Sequence, residues 1–311
     1  MTVLLHTVAP VFGILALGLA AARFGLLGRG GVRGLVLFVF NVAIPVLLFR
    51  SMATMTLPDV LPWRVLVAFY TGSLLTWGLG MAAGRFAFGR RTDEAAIFAM
   101  GAAFSNTVLL GIPIVLTAFG PEATLPLMII IAFHSALFMP LTVGVITASR
   151  GNGGRVGPQL GRTILEVVRN PIILGLAVGL AVNLTGLALP APVDHMAELL
   201  GRAAVPTALF AMGASLAGYS FLGDVPPALA LSSLKLVVHP AIVWVMAVHV
   251  LGIEGIQAPV AVTMAAMPAG VNVYLFGARY QAAPDVAART VLLTSLLSVA
   301  TLSLLLVLLG A

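Results

Sequence analysis

No cysteine occurs among the 311 residues, which excludes a disulfide framework, thiolate chemistry and any cysteine-based metal site. Charge is nearly as scarce. Only 8% of residues are Asp, Glu, Lys or Arg and 60% are hydrophobic, whereas a soluble domain carries about 25% charged residues. The mean hydropathy is +1.13, so a polytopic membrane protein embedded in a lipid bilayer is expected. The remaining charge is lopsided, +6 net with a pI of about 10.7. The basic residues nevertheless stand singly or in pairs between apolar spans, so nucleic acid is not an expected partner. The first 27 residues have neither a basic leading region nor a small-residue cleavage site, and they read as a membrane span rather than a signal peptide. Carboxylates are missing from the middle of every apolar stretch: Glu122, Asp194, Asp224, Glu254 and Asp285 fall near span ends. A sodium site usually recruits a carboxylate, so sodium coupling is not favoured, although carbonyls of unwound segments can coordinate that ion. No metal site and no cofactor are expected.

Ten helical spans are expected at approximately 4–27, 33–55, 61–88, 95–120, 122–148, 165–186, 193–218, 228–251, 256–280 and 286–309. The longest polar stretch, Ser149 to Arg162, divides the chain nearly in half. It reads as a cytoplasmic linker, 149–164, between a first five-helix unit, 1–148, and a second, 165–311. The odd-numbered connections hold Arg23, Arg29, Arg33, Arg85, Arg90, Arg91, Arg150, Arg155, Arg162, Arg169, Lys235, Arg279 and Arg289, which is 13 of the 16 basic residues. By the positive-inside rule both termini then lie outside the cytoplasm, in a chain expected at the cell membrane. Two five-span halves in succession have opposite orientation. Ala43 to Phe49 matches Ala204 to Phe210 at an offset of 161 residues, and the same offset lays Phe119-Gly120 on Tyr280-Gln281. Together these imply an inverted repeat.

Two spans are broken in the middle. Ala95 to Gly120 is interrupted by Ser105-Asn106-Thr107 and then Gly111-Ile112-Pro113, and Gln257 to Gln281 by Met267-Pro268-Ala269-Gly270, followed by Asn272. Backbone groups freed inside hydrocarbon survive only where they line a cavity or are covered by protein, and paired broken helices mark the substrate site of secondary transporters. Asn106 and Asn272 offer amides suited both to a carboxylate and to capping a half-helix. Half-helix N-termini bring partial positive charge, so an anion could be held there without a basic side chain. Pro113 and Pro268 each remove a backbone donor; Pro45, Pro206 and Pro240 read as ordinary kinks. Asn41, four residues before Pro45, reads either as a cavity residue or as an interhelical hydrogen bond. His134 and His239 lie mid-span and are proton-coupling candidates, set against a structural role for a neutral imidazole. His6, His195 and His249 lie near span ends, and Arg202 and Lys235 are read as snorkelling to an interface.

These residues resemble the auxin efflux carrier family, which includes plant PIN carriers and bacterial carriers of malonate- or malate-like dicarboxylates. The resemblance runs through Asn41-x3-Pro45, Ser105-Asn106 with Gly111-Ile112-Pro113, Met267 to Asn272, and the tail from Tyr280 through Asp285 to Ser298. It implies an all-α fold of ten helices in a 5+5 arrangement, with spans four and nine crossing at their breaks. It also implies substrate binding beside that cross, and the substrate contacts expected are Asn41, Ile44, Asn106, Gly111, Ile112, Pro113, His134, Pro268, Ala269, Gly270 and Asn272. The mechanism it implies is elevator-like, spans three to five and eight to ten moving against spans one, two, six and seven, often in a homodimer. One departure matters. Plant members carry charge beside the site in the third span, whereas Phe69-Tyr70-Thr71-Gly72-Ser73 offers neither acid nor base.

The leading expectation is a carrier of small organic anions, with a sodium-coupled symporter of amphipathic acids as the alternative within that class. A membrane-embedded enzyme would need a nucleophile with its base, paired carboxylates or a His/Glu metal cluster, and none is present at a usable spacing. A passive channel would show neither saturation nor counterflow.

Overall fold

The structure, a computed structural model, describes residues 9–57, 61–151, 153–218 and 225–310, with side chains except at 153–156. The expectations placed on His6, on Asp224 and on the first residues of span 4–27 lie outside these. The described residues form helices α1 Ala9–Arg23, α2 Arg29–Thr54, α3 Trp63–Ala87, α4 Thr92–Ala103, α5 Thr107–Phe119, α6 Pro121–Ser149, α7 Gly153–Val168, α8 Pro171–Thr185, α9 Ala191–Leu216, α10 Val225–Val250, α11 Gln257–Ala266, α12 Asn272–Tyr280 and α13 Pro284–Leu309. Six of these, α2, α3, α6, α9, α10 and α13, are long and apolar enough to cross a membrane, and a seventh span forms if α7 and α8, bent by 57°, are taken together. Among the described residues the only extended pairing is a single antiparallel contact of Ser105 with Ala269.

Two segments differ from the hydropathy reading. The polar stretch read as a linker is largely helix, because α7 begins at Gly153 and runs into the bend before Pro171. Its Ile164, Leu165 and Val168 are exposed beside Arg162 and Glu166, the two-faced pattern of a helix at a membrane surface. Lys235 is inside α10 and fully buried. It neither snorkels nor belongs to a connection, which leaves 12 of the 16 basic residues (13 less one) in the topology count.

Among the described residues, three of the five widened turns precede a proline; those at Ala83–Ala87 and Val245–Val250 do not. Turns of π geometry at Val39–Ala43, Thr107–Gly111 and Leu234–Val238 each end two residues before a proline, Pro45, Pro113 and Pro240. A proline ring lacks the N–H and collides with the carbonyl four residues back, and a widened turn relieves both problems locally.

Four helices on one side pack through small residues. With lipid as apolar as leucine, close van der Waals approach is what holds such helices together. A Cβ on Gly18 of α1 would lie 2.0 Å from the Phe210 carbonyl oxygen of α9, and one on Gly179 of α8 would lie 2.5 Å from that of Phe49 in α2. These two contacts are related by the 161-residue offset at both ends, 18 to 179 and 49 to 210. Polar ties add direction. Arg50 of α2 donates from Nε to Asp194 Oδ1 of α9 at 2.6 Å and from Nη2 to Oδ2 at 3.0 Å. Asn183 of α8 donates to the Met55 carbonyl at 2.6 Å.

The close approach generates a test. A Cβ on Gly213 would sit 1.8 Å from the Leu15 carbonyl oxygen, whereas one on Gly13 would meet nothing within 4 Å. Overpacking of this kind costs about 1–3 kcal/mol. Gly213→Ala is therefore expected to melt several degrees below wild type in detergent and Gly13→Ala to melt with it; equal melting of the two variants would contradict the packing.

Candidate functional site

α4 stops at Ala103 and α11 at Ala266, and the two unwound segments that follow lie antiparallel against each other. Asn106 N–H donates to the Pro268 carbonyl at 2.8 Å, and Gly270 N–H donates to the Phe104 carbonyl at 2.9 Å. The intervening amides are capped from neighbouring helices: Ala269 N–H donates to Thr294 Oγ1 of α13 at 3.0 Å, and Ser105 N–H to His134 Nε2 of α6 at 3.0 Å. These four N–H groups thus find partners inside the protein, as hydrocarbon requires. The glycines allow the approach. A Cβ on Gly270 would fall 2.8 Å from Phe104 Cδ1, and one on Gly111 would fall 2.9 Å from Met264 Sδ. Ile112, Pro113, Pro268 and Ala269 are buried at the crossing. The first half-helices end 163 residues apart, at 103 and 266, so superposing the breaks takes two residues more than the 161 offset.

Lys235 is the group that sequence reasoning missed. Its Nζ donates to the Ala265 carbonyl at 2.5 Å and to Ser105 Oγ at 2.8 Å, and lies 3.1 Å from His239 Nδ1. The widened turn ahead of Pro240 carries it there. Ala265 is in the last turn of α11, where carbonyls lack helical partners and the dipole is negative, so a cation is favoured at that place. The signal in the sequence is that the chain's other 15 basic residues are all arginine. His239 Nε2 lies 2.8 Å from Ser73 Oγ, which donates to the Phe69 carbonyl at 2.7 Å.

His134 is fully enclosed, its ring 4.5 Å from that of Phe104 and 5.3 Å from that of Phe138. Accepting from Ser105 N–H requires a lone pair on Nε2, which assigns the ring proton to Nδ1 and the neutral form. It caps a broken backbone.

Asn106 Oδ1 accepts from Leu109 N–H at 3.2 Å, capping α5. Its Nδ2 meets only the thioether of Met212 in α9, at 3.5 Å, and sulfur is a weak acceptor. A buried amide donor is therefore turned, nearly unused, toward α9. Asn272 opens instead on a cavity of about 240 Å³ that it shares with Asn170, Glu166 and Arg279, and that Asn106 does not line. Asn41 is exposed and makes none of the hydrogen bonds found among the described residues, and Ile44 is packed in the core of α2. A larger cavity of about 720 Å³ lies between α2 and α9 on one side and α12 and α13 on the other, with Arg29, Arg33, Tyr274 and Asp285 in its walls. Among the described residues no cluster of three His, Asp or Glu side chains could hold a metal ion.

The capping role of His134 is open to measurement. His134→Phe keeps the ring packing but leaves Ser105 N–H buried without an acceptor, at a cost of about 1–3 kcal/mol. The variant is expected to melt well below wild type and His134→Gln, which restores an acceptor, to lie between them. A His134→Phe protein as stable as wild type would remove the bond from the account of the crossing.

Residues 3–306 match the family described as "Membrane transport protein". A Rhizobium meliloti protein named "Putative malonate transporter" is 27% identical over 306 residues, 95% of this chain and 92% of its own length. An "Uncharacterized transporter" of Methanothermobacter thermautotrophicus is 26% identical over 96% of both chains. Escherichia coli K12 "Uncharacterized transporter YfdV" is 24% identical over 71% of each.

Proposed function

We propose that this chain, which belongs to the membrane transport protein family of auxin efflux carriers, is a secondary transporter of small organic anions, carboxylates of the malonate class, with its binding site at the crossing. The observation that carries the reading is the buried Asn106 amide, whose donor is met only by a thioether. A carboxylate entering there gains a hydrogen bond from a group with almost nothing to lose, together with the N-terminal dipole of α5. Asn272 at the start of α12 supplies the matching amide when the anion moves across. Arg29 and Arg33 in the wall of the 720 Å³ cavity favour approach of an anion from the side where basic residues concentrate. Malonate enters because the Rhizobium meliloti relative carries that substrate in its name.

The architecture that goes with this function is a ten-span inverted repeat at the cytoplasmic membrane, in which α4–α5 and α11–α12 each make one broken span and both termini face outward. Contacts repeated at the same 161-residue offset, Gly18 with Phe210 and Gly179 with Phe49, support it. The helices tied by those contacts form the scaffold, and the remaining spans move as one bundle; two scaffolds meet in a homodimer. Separating the crossed breaks would strip two backbone amides, Asn106 and Gly270, of their partners, at several kcal/mol each in hydrocarbon, so the crossing travels as a unit.

Two experiments bear on this. Purified protein in proteoliposomes is expected to take up labelled malonate with saturation and counterflow, and Asn106→Ala or Asn272→Ala to lose uptake at least tenfold while remaining folded; wild-type uptake by both variants, or transport confined to cations and sugars, would sink the proposal. A disulfide between Gly111→Cys and Met264→Cys, placed in a chain that has no native thiol, should leave uptake close to that of the reduced double variant. Arrest on oxidation alone would show that the two broken helices separate during transport.

A further inference from the structure

We propose that Lys235, backed by His239 and Ser73, is a proton-binding site that moves with the crossing and couples one proton to each cycle of anion transport. The inference deepens the carrier reading above and rests on it. The chain's only lysine lies fully buried at the crossing. Every other basic residue is an arginine, which stays protonated in proteins, whereas a lysine amine can release its proton when buried.

Both protonation states are satisfied by the same heavy atoms. As an ammonium, Nζ has three donors and three acceptors around it: the Ala265 carbonyl, Ser105 Oγ and His239 Nδ1. His239 then carries its proton on Nε2 and donates to Ser73 Oγ, while the Ser73 hydroxyl donates to the Phe69 carbonyl. As a neutral amine, Nζ keeps two donors for Ala265 and Ser105 and accepts from His239 Nδ1–H. Nε2 of His239, now bare, accepts from the Ser73 hydroxyl. The change removes one proton from the cluster. It leaves from His239 Nε2 to the water that reaches this side of the cluster when the moving bundle opens, and the proton that Nζ gives up replaces it on Nδ1. No side chain has to move, and no buried donor or acceptor of the three residues is stranded in either state, which is the condition for cheap proton exchange in a dry interior.

The surroundings supply no competing ion. Among the described residues no carboxylate contacts Nζ. From the elements packed around it, α6 presents His134, held neutral by Ser105 N–H, and α3 presents Tyr70, whose hydroxyl donates to the Ile130 carbonyl at 2.6 Å. α13 carries Arg289, five residues before Thr294 and so about 7.5 Å nearer that helix's start. The last two turns of α4 and α11 hold no titratable side chain. The link to substrate is one residue long, since the Ser105 hydroxyl that receives the Nζ donor is followed by Asn106. An anion beside Asn106 favours the ammonium, and the ammonium favours the anion, a reciprocal coupling.

The test separates the proton site from the carrier reading. Protein labelled with 15N at lysine Nζ in nanodiscs yields one lysine side-chain signal, read without any substrate; it is expected to convert from ammonium to amine within the pH range in which the protein stays folded. In proteoliposomes, an inward proton gradient of one pH unit is expected to raise malonate accumulation about tenfold, the effect of one coupled proton. Lys235→Arg, which cannot release its proton, is expected to lose that response, its remaining malonate uptake being the same with and without the gradient, with His239→Gln slowing it. A signal that remains ammonium at every pH, or a Lys235→Arg protein that responds to the gradient like wild type, overturns the proposal. Absence of malonate counterflow from wild type overturns the substrate reading instead, and the lysine signal still decides whether the site takes and releases a proton.

Discussion

Backbone hydrogen bonding in a solvent that offers none is the constraint on which this fold turns. A helix broken inside hydrocarbon exposes amides and carbonyls at several kcal/mol each, and one broken helix alone could not persist. Here each break supplies acceptors for the other, Pro268 to Asn106 and Phe104 to Gly270. The amides left over are met by side chains from α6 and α13, and a carbonyl at the end of α11 is met by Lys235. Ser105, His134, Lys235, His239 and Thr294 thus gather round the two breaks, placed by what those breaks lack.

Two styles of packing divide the molecule. Between α1 and α9, and between α2 and α8, backbone lies on backbone, with glycines where any Cβ would collide with a carbonyl oxygen. Such interfaces tolerate neither a larger side chain nor sliding, and the Arg50 to Asp194 ion pair ties α2 of one to α9 of the other. Around the crossing the contacts are made by hydrogen bonds and by aromatic rings about His134. Toward α9 the crossing makes one weak hydrogen bond, from the Asn106 amide to the Met212 thioether, and otherwise apolar packing of Leu109, Leu110 and Ile112 in a shared core with Ala208, Leu209 and Met212.

The breaks, the prolines and the family were legible in the amino-acid order because each depends on neighbours a few residues apart. Gly-x-Pro inside an apolar run stops a helix wherever it is put, and hydropathy places it in the membrane. The resemblance to auxin efflux carriers rested on these same motifs, and the whole-chain match agrees with it. Asn41 shows the limit of that logic: an amide one turn ahead of Pro45 reads as a cavity residue or as an interhelical hydrogen bond, and its side chain is exposed without a hydrogen bond among the described residues. Helical periodicity says which residues share a face but not what the face meets.

Lys235 marks the same boundary from the other direction. Read along the chain, a basic residue near the start of a span is a topology signal free to snorkel, and its charge was counted that way. Its partners Ser105, Ala265 and His239 are 130, 30 and 4 residues distant, and only the folding of α10 against both breaks brings them to one point. The sequence by itself determined where helices run, where they fail and that the failures must be covered, because those follow from local sterics and from the solvent. Which side chains do the covering was decided by tertiary structure alone, since a hydrogen bond depends on a distance of about 3 Å that no spacing along the chain encodes.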